Sequence, residues 1–355
     1  MPLVESRQLG FEKIGGGNYD KDAFLVFGPS QASEKLGWLL QTYDSHSSTA
    51  YIVGHIQRRD FACVVFVNAL VFTLGGEING QATSFVDAYS LQLRRSLSVA
   101  PMRTERSYHG AAVLDSNIVV AGGFDTRGRL ATCEAYVVNT NRWIRLPALS
   151  EARTSPGIAA LANRQLFVIG GYNERDLAKV EYCQLPNKLS EDISNPEFWH
   201  EAAPLNIARC GLGVSVLKGK IIAAGGVASD AVEVFQPPTA DNHRGQWTLI
   251  SRMNQERYKF SLTAGQGYLF AFGSHRVPVN TVERLEPVEE SRREDDITTW
   301  RWTSVSIPLT HRIEIEGALV VPKSLLPTLL TYVFLREHGM LRSRVTVSQE
   351  IDFIW

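Results

Sequence analysis

RSYHGAAVLDSNIVVAGGFDTRGRLATCEAYVVNTNRW, Arg106 to Trp143, contains the pattern that decides the fold. An apolar-rich segment, Gly110 to Leu114, meets a polar turn at Asp115-Ser116-Asn117. The short run Ile118 to Ala121 follows and reads as a buried strand, so the two form a hairpin. Gly122-Gly123 ends the second strand, where a residue without a β-carbon permits close approach and unusual backbone angles. A polar loop, Phe124 to Leu130, leads to a third strand around Glu134 to Val138. A turn at Asn139-Thr140-Asn141 then places Trp143 at the start of a fourth strand.

The same plan recurs along the chain. ALVFTLGG, NIVVAGG, QLFVIGG and KIIAAGG end at Gly75-Gly76, Gly122-Gly123, Gly170-Gly171 and Gly225-Gly226, at steps of 47, 48 and 55 residues. FLVFG at Gly28 and LFAFG at Gly273 extend the series on either side with single glycines. Repeats of this period with four short strands each are blades of a β-propeller. An arginine precedes each glycine position after Gly28 by 16 or 17 residues: Arg59, Arg106, Arg153, Arg209 and Arg257. Met102, Leu149, Leu205 and Met253 stand four places before the last four of these. An acidic residue follows the glycines in each of these copies, at Asp87, Glu134, Glu181, Glu233 and Glu283, after valine in every copy but Cys133-Glu134. Trp143, Trp199, Trp247 and Trp302 come later in their copies and are read as core.

These residues resemble the kelch-repeat β-propellers, most closely the kelch domain of the kelch-like adaptor proteins, over residues 20–321. The expected fold is all-β, a six-bladed propeller with a lead-in at 1–19 and a C-terminal extension at 322–355. Blade one lacks an inner strand of its own at the N-terminal end. Residues 312–321, RIEIEGALVV, are expected to supply it and close the ring. A seventh blade is the weaker alternative, since the tail holds no glycine pair. The loop Pro186 to Pro196 lengthens blade four and is expected to face solvent. In the tail, Leu325 to Leu335 reads as a short helix and Arg344 to Ile354 as a strand-like stretch, either a cap or a docking segment.

The bulk properties narrow the function. A formal net charge of -1 argues against a polyanion partner, so no nucleic acid is expected. No apolar run reaches 18 residues, and no membrane span is expected. Cys63, Cys133, Cys183 and Cys210 have neither metal-site spacing nor the density of a disulfide framework, which points to a reducing interior, with the cytoplasm expected and the nucleus as the alternative. No P-loop, nucleophile elbow or dinucleotide fingerprint stands in context, and the eight histidines are scattered. The chain is therefore expected to be no enzyme, with no cofactor and no metal.

The resemblance implies a partner-binding face lined by the arginines that head each blade. Carried onto this chain, that set is Arg59, Arg106, Arg153, Arg209, Arg257 and Arg312. Tyr108, Ser155 and Tyr258 stand beside them and are expected to add contacts. Several guanidinium groups would suit an acidic partner segment, since each can fork onto a carboxylate. The alternative is architectural: a repeated arginine can hold a neighbouring loop through backbone carbonyls. Tyr108-His109, Cys210 and Tyr258-Lys259 differ between blades, as a recognition face requires. Kelch-like adaptors carry BTB and BACK domains and deliver bound partners for ubiquitin transfer through a cullin. Neither domain has room before the first blade, so a cullin link is expected only through a separate chain or missing domains. An actin-associated or structural scaffold is the alternative function, and a propeller enzyme the remote one.

Overall fold

The structure is a computed structural model that describes residues 22–29, 37–44, 49–238, 242–275, 280–288, 296–306 and 313–325. Six four-stranded antiparallel sheets are present among these residues. In blade three the order is Gly110–Leu114, Asn117–Ala121, Cys133–Val137 and Arg142–Leu146, running outward from the axis. Blades two, four, five and six repeat it, from Cys63–Val67, Gly157–Ala160, Gly213–Leu217 and Ser261–Gly265 on the inside to Arg95–Ser98, His200–Glu201, Gln246–Ile250 and Arg301–Val305 on the outside. Blade one mixes the two ends of the chain: Gly317–Pro322 pairs antiparallel with Asp22–Pro29, followed by Trp38–Asp44 and Thr49–Ile56. Inner strands of neighbouring blades touch all the way round, including blade six to one and one to two.

Period-two alternation explains why the second strand of every blade is apolar throughout. Ile118 and Val120 pack toward blade two, whereas Val119 and Ala121 pack toward blade four. Phe24 and Val26 face blade six, and Ala23, Leu25 and Phe27 face blade two. A strand buried on both faces reads as a continuous hydrophobic run. The buried residues accordingly fall into six clusters, one at each junction between blades. Trp143, Trp247 and Trp302 are buried and Trp199 is half-buried. Each indole N–H donates to a carbonyl of the linker entering its own blade: Ala100 at 2.8 Å, Ala203 at 2.9 Å, Ser251 at 3.2 Å and Pro147 at 2.8 Å respectively.

The long loop of blade four faces solvent along most of its length, as expected, and also makes contacts that the sequence did not show. It is polar and largely exposed, but it folds back onto the outer strand of blade three. The Arg145 N–H donates to the Asp192 carboxylate at 2.8 Å, and the Ile193 N–H donates to the Arg145 carbonyl at 3.0 Å. Leu189 is buried in the cluster between blades three and four. Backbone groups of an edge strand are thereby covered. The loop after Gly123 also holds a small hairpin, Phe124–Asp125 against Gly128–Arg129, where the sequence suggested only a polar connection. Most of the extension beyond 321, and the helix and strand suggested there, lie outside the described residues, as does the lead-in.

Candidate functional site

The repeated arginines are internal. Arg59, Arg106, Arg153, Arg209 and Arg257 are at most 3% exposed. Each guanidinium reaches the first-glycine carbonyl of its own blade: Gly75 at 2.5 Å, Gly122 at 2.7 Å, Gly170 at 3.1 Å, Gly225 at 3.2 Å and Gly273 at 2.5 Å. Each also pairs with the acid of the third strand, namely Asp87, Glu134, Glu181, Glu233 and Glu283. Desolvation lowers the pKa of Arg153, Arg209 and Arg257, and the paired glutamates act against that shift. In blades three to six the acid's carboxylate also accepts from the linker backbone at Arg103, Ser150, Asn206 and Asn254. The expectation that these five arginines line a partner-binding face is therefore corrected. Their donors are spent on backbone carbonyls and buried carboxylates, which is the architectural alternative. Arg312, the sixth of the set, lies outside the described residues.

The glycine pair completes this arrangement. The N–H of Gly123 donates to the carbonyl of Arg153 at 2.8 Å, so one blade's glycine is tied to the next blade's arginine. Gly76, Gly171 and Gly226 do the same with Arg106, Arg209 and Arg257. The first glycine of each pair, Gly75, Gly122, Gly170 or Gly225, lies against the same carbonyl. A β-carbon on Gly122 would stand 2.5 Å from the Arg153 oxygen, and its φ of 66° lies in the left-handed region.

Two residues past each arginine the chain turns into the channel mouth. Phe61, Tyr108, Ser155, Gly211 and Lys259 occupy this position in blades two to six, and all have φ between 49° and 62°. Four of the five are not glycine, a costly backbone choice that neighbouring contacts must enforce. Those contacts are a chain of hydrogen bonds running around the mouth. The Tyr108 N–H donates to Phe61 at 3.1 Å, Ser155 to Tyr108 at 2.6 Å, Gly211 to Ser155 at 3.0 Å, and Lys259 to Gly211 at 2.9 Å. The backbone is thus uniform while the side chains are aromatic, hydroxyl, absent or cationic.

Below the mouth lies a cavity of about 550 Å³ along the axis, lined by inner-strand residues of all six blades. Phe61 and Tyr108 stack with ring centres 3.9 Å apart. The Lys259 ammonium lies 4.0 Å from the Phe61 centre, 4.2 Å from Tyr108 and 5.0 Å from Tyr258. Burial pulls the Lys259 pKa down to about 8, against the opposing effect of Cys210, Glu77 and Glu316. Burial, with help from Glu77, Tyr258 and Asp60, pushes the Tyr108 phenol up to about 12. His109 lines the cavity wall while fully buried, and neither ring nitrogen has a hydrogen-bond partner among the described residues. Burial, with Arg106 and Arg59 nearby, holds its pKa well below the usual histidine range.

Of the expected contact residues, the structure brings Tyr108, Ser155 and Tyr258 to this mouth. Phe61, Asp60, Glu77 and Glu316 join them and escaped the sequence reading. The available signal was the variable position two after each arginine, F, Y, S, G, K, beside a fixed one. Among the described residues no group of three or more His, Cys, Asp or Glu is placed to hold a metal ion.

Comparison with known proteins agrees with this geometry. A Kelch motif model matches residues 105–150. Kelch-like protein 41a of Danio rerio is 31% identical over 114 residues, which is 32% of this chain and 19% of that protein. Kelch-like protein 36 of Mus musculus is 22% identical over 66% of this chain and 39% of its own length. Alpha-scruin of Limulus polyphemus is 25% identical over 82% of this chain and 32% of its own. The chain thus spans well under half the length of these relatives. The solved structure of YjhT superposes with a TM-score of 0.60 at 13% identity, covering 81% of this chain and 95% of that one, and shares the fold. Arginine and third-strand acid recur in register in five blades, and the glycine pair and the outer tryptophan in four each; the chain folds as a six-bladed β-propeller whose repeats are similar to the kelch motif and to the kelch domains of the kelch-like proteins.

Proposed function

We propose that the protein is a non-catalytic recognition module that holds a segment of a partner protein at the channel mouth. Kelch propellers typically act as protein–protein interaction modules, which supports the general reading. One observation carries the assignment to the mouth. Five successive blades impose the same backbone at one position and fill it with Phe61, Tyr108, Ser155, Gly211 and Lys259. A position that mattered only for folding would repeat its side chain, as the buried arginines do. Aromatic and cationic groups at a concave, partly desolvated mouth are also the residue types that dominate binding energy.

The expectation of an acidic partner segment rests on arginines at the mouth, and five of these point inward. A place in ubiquitin transfer is the finer form of the proposal. It rests on likeness to the kelch-like proteins and needs cullin-binding parts on this protein or another. A cytoplasmic site of action is included, and the four unpaired cysteines support it.

The test is affinity capture from a native extract with the wild-type protein, a Tyr108→Ala/Tyr258→Ala variant, and Leu249→Ser on the outer strand of blade five. All three are first shown to melt cooperatively. Loss of a partner in the mouth variant alone supports the proposal, and co-recovery of a cullin supports the adaptor form. Retention of every partner by the mouth variant overturns it.

A further inference from the structure

We infer that the rings of Phe61, Tyr108 and Tyr258 form a cation site that the chain's own Lys259 fills, and that the external occupant is an arginine side chain of the partner. The inference rests on the mouth being the binding site. It departs from the acidic ligand that the sequence suggests.

The first observation is reach. Lys259 belongs to blade six, yet its ammonium lies over rings from blades two and three, so the side chain crosses the mouth. Three ring centres within 5.0 Å of one ammonium surround a cation with aromatic groups. The second is charge. Among the described residues, Asp60, Glu77, Glu314 and Glu316 gather at the blade-one and blade-two side of the mouth. Against them stand Lys259 and Arg58, and Arg58 already lies 3.4 Å from Asp60. Removing Lys259 from the site would leave these carboxylates in clear excess. Charge complementarity therefore calls for a cation from outside rather than a carboxylate.

The third observation selects arginine. An ammonium is a compact, strongly hydrated charge, and taking it into the site is unfavourable; the weakened hold of Lys259 on its proton reflects this. A guanidinium is less strongly hydrated, stacks flat on aromatic rings, and forks onto a carboxylate. An arriving arginine would take the ring faces with Glu77 or Glu316 as its acceptor, and Lys259 would return to water. In this scheme Lys259 is a placeholder that keeps the empty site closed, not a contact for the ligand.

The test uses the full chain and three blocked pentapeptides that differ only in a central arginine, lysine or glutamate, followed by saturation-transfer NMR titration. The arginine peptide is expected to bind about tenfold more tightly than the glutamate peptide, with lysine between them. Lys259→Met and Lys259→Gln are each expected to strengthen arginine binding severalfold. Glu77→Gln/Glu316→Gln is expected to weaken it about tenfold. Cooperative melting of each variant keeps misfolding apart from lost affinity. Preference for glutamate that vanishes in Lys259→Met overturns the inference, because Lys259 is then a carboxylate contact, while the mouth reading survives. Absence of arginine binding to wild type and to Lys259→Met up to about 10 mM overturns it as well. Capture of the native partner by the Tyr108→Ala/Tyr258→Ala variant would instead bring down the mouth reading itself.

Discussion

The N–H of Gly76 donates to the carbonyl of Arg106 at 2.9 Å, fastening the glycine pair of blade two to the arginine of blade three. The same arginine turns its guanidinium back to Gly122 and Glu134 of its own blade. One residue therefore serves as the joint between two blades, and the joint repeats around the ring.

Arg153→Ala should strike this joint hard. It removes a fully buried guanidinium and leaves the Glu181 carboxylate buried beside empty donors' space. Breaking one side of such a pair costs on the order of 3–5 kcal/mol. Urea unfolding should show the midpoint falling by that equivalent with binding-site chemistry untouched. A loss below about 1 kcal/mol would show that solvent replaces the guanidinium and that the joint is not internal.

Gly122→Ala and Gly80→Ala separate close packing from backbone preference. Both glycines have positive φ, at 66° and 75°. A β-carbon at 122 would meet the Arg153 oxygen at 2.5 Å, while at 80 it would meet nothing within 4 Å. Alanine at 122 should cost several kcal/mol, and at 80 only the left-handed penalty of about 1–2 kcal/mol. Thermal melts of the two variants should differ clearly, and equal shifts would contradict the inter-blade contact.

His109 should make the fold sensitive to mild acid. Its folded-state pKa lies below the unfolded value because burial and two neighbouring guanidinium groups oppose protonation. The unfolded chain thus binds more protons below about pH 6.5, and stability falls as the pH drops from there. His109→Met should flatten that slope. Because neither ring nitrogen is satisfied, the variant should match or exceed wild-type stability at pH 7.5. Denaturation series at pH 7.5 and 5.5 measure both effects, and an unchanged slope in the variant would refute the assignment.

Lys259 should act at the alkaline end. Its folded pKa of about 8 lies below the value of 10.5 for the free side chain, with Glu77, Glu316, Cys210, Tyr108 and Tyr258 around it. Between these values the unfolded chain holds the extra proton, so the Lys259 contribution to stability rises with pH from about 8. Burial raises the thiols of Cys63, Cys133, Cys183 and Cys210, which act the other way from about pH 9, and Tyr108 joins them above pH 10. Wild-type stability should therefore fall less steeply between pH 8 and 9.5 than that of Lys259→Met. Guanidinium midpoints across that interval provide the readout.

The blades were legible because their signals are local and periodic. Gly122-Gly123, Glu134 and Trp143 sit at offsets that recur, and each has a backbone or packing reason for its place. The direction of the arginines was not. A guanidinium that recurs every blade looks the same in sequence whether it faces a partner or a buried acid. Its partner stands 24 to 28 residues further on, as in Arg209 with Glu233 and Arg106 with Glu134. That pairing exists only once two strands have folded side by side. The mouth was half legible: Tyr108 and Tyr258 stood out, whereas Phe61 joins them only because blade two lies beside blade three. The docking of Asp192 on Arg145 spans two blades and left no periodic trace.

The pairing of Asp22–Pro29 with Gly317–Pro322 sets a timetable for synthesis. The first of these strands leaves the ribosome nearly three hundred residues before its partner. At translation speeds of about 5–20 residues per second, that is a wait of roughly 15–60 seconds. During this interval the apolar face of DAFLVFGP has five blades forming behind it and no closing strand beside it. The nascent chain should spend most of that wait needing a chaperone, and the need should end once Gly317–Pro322 has emerged.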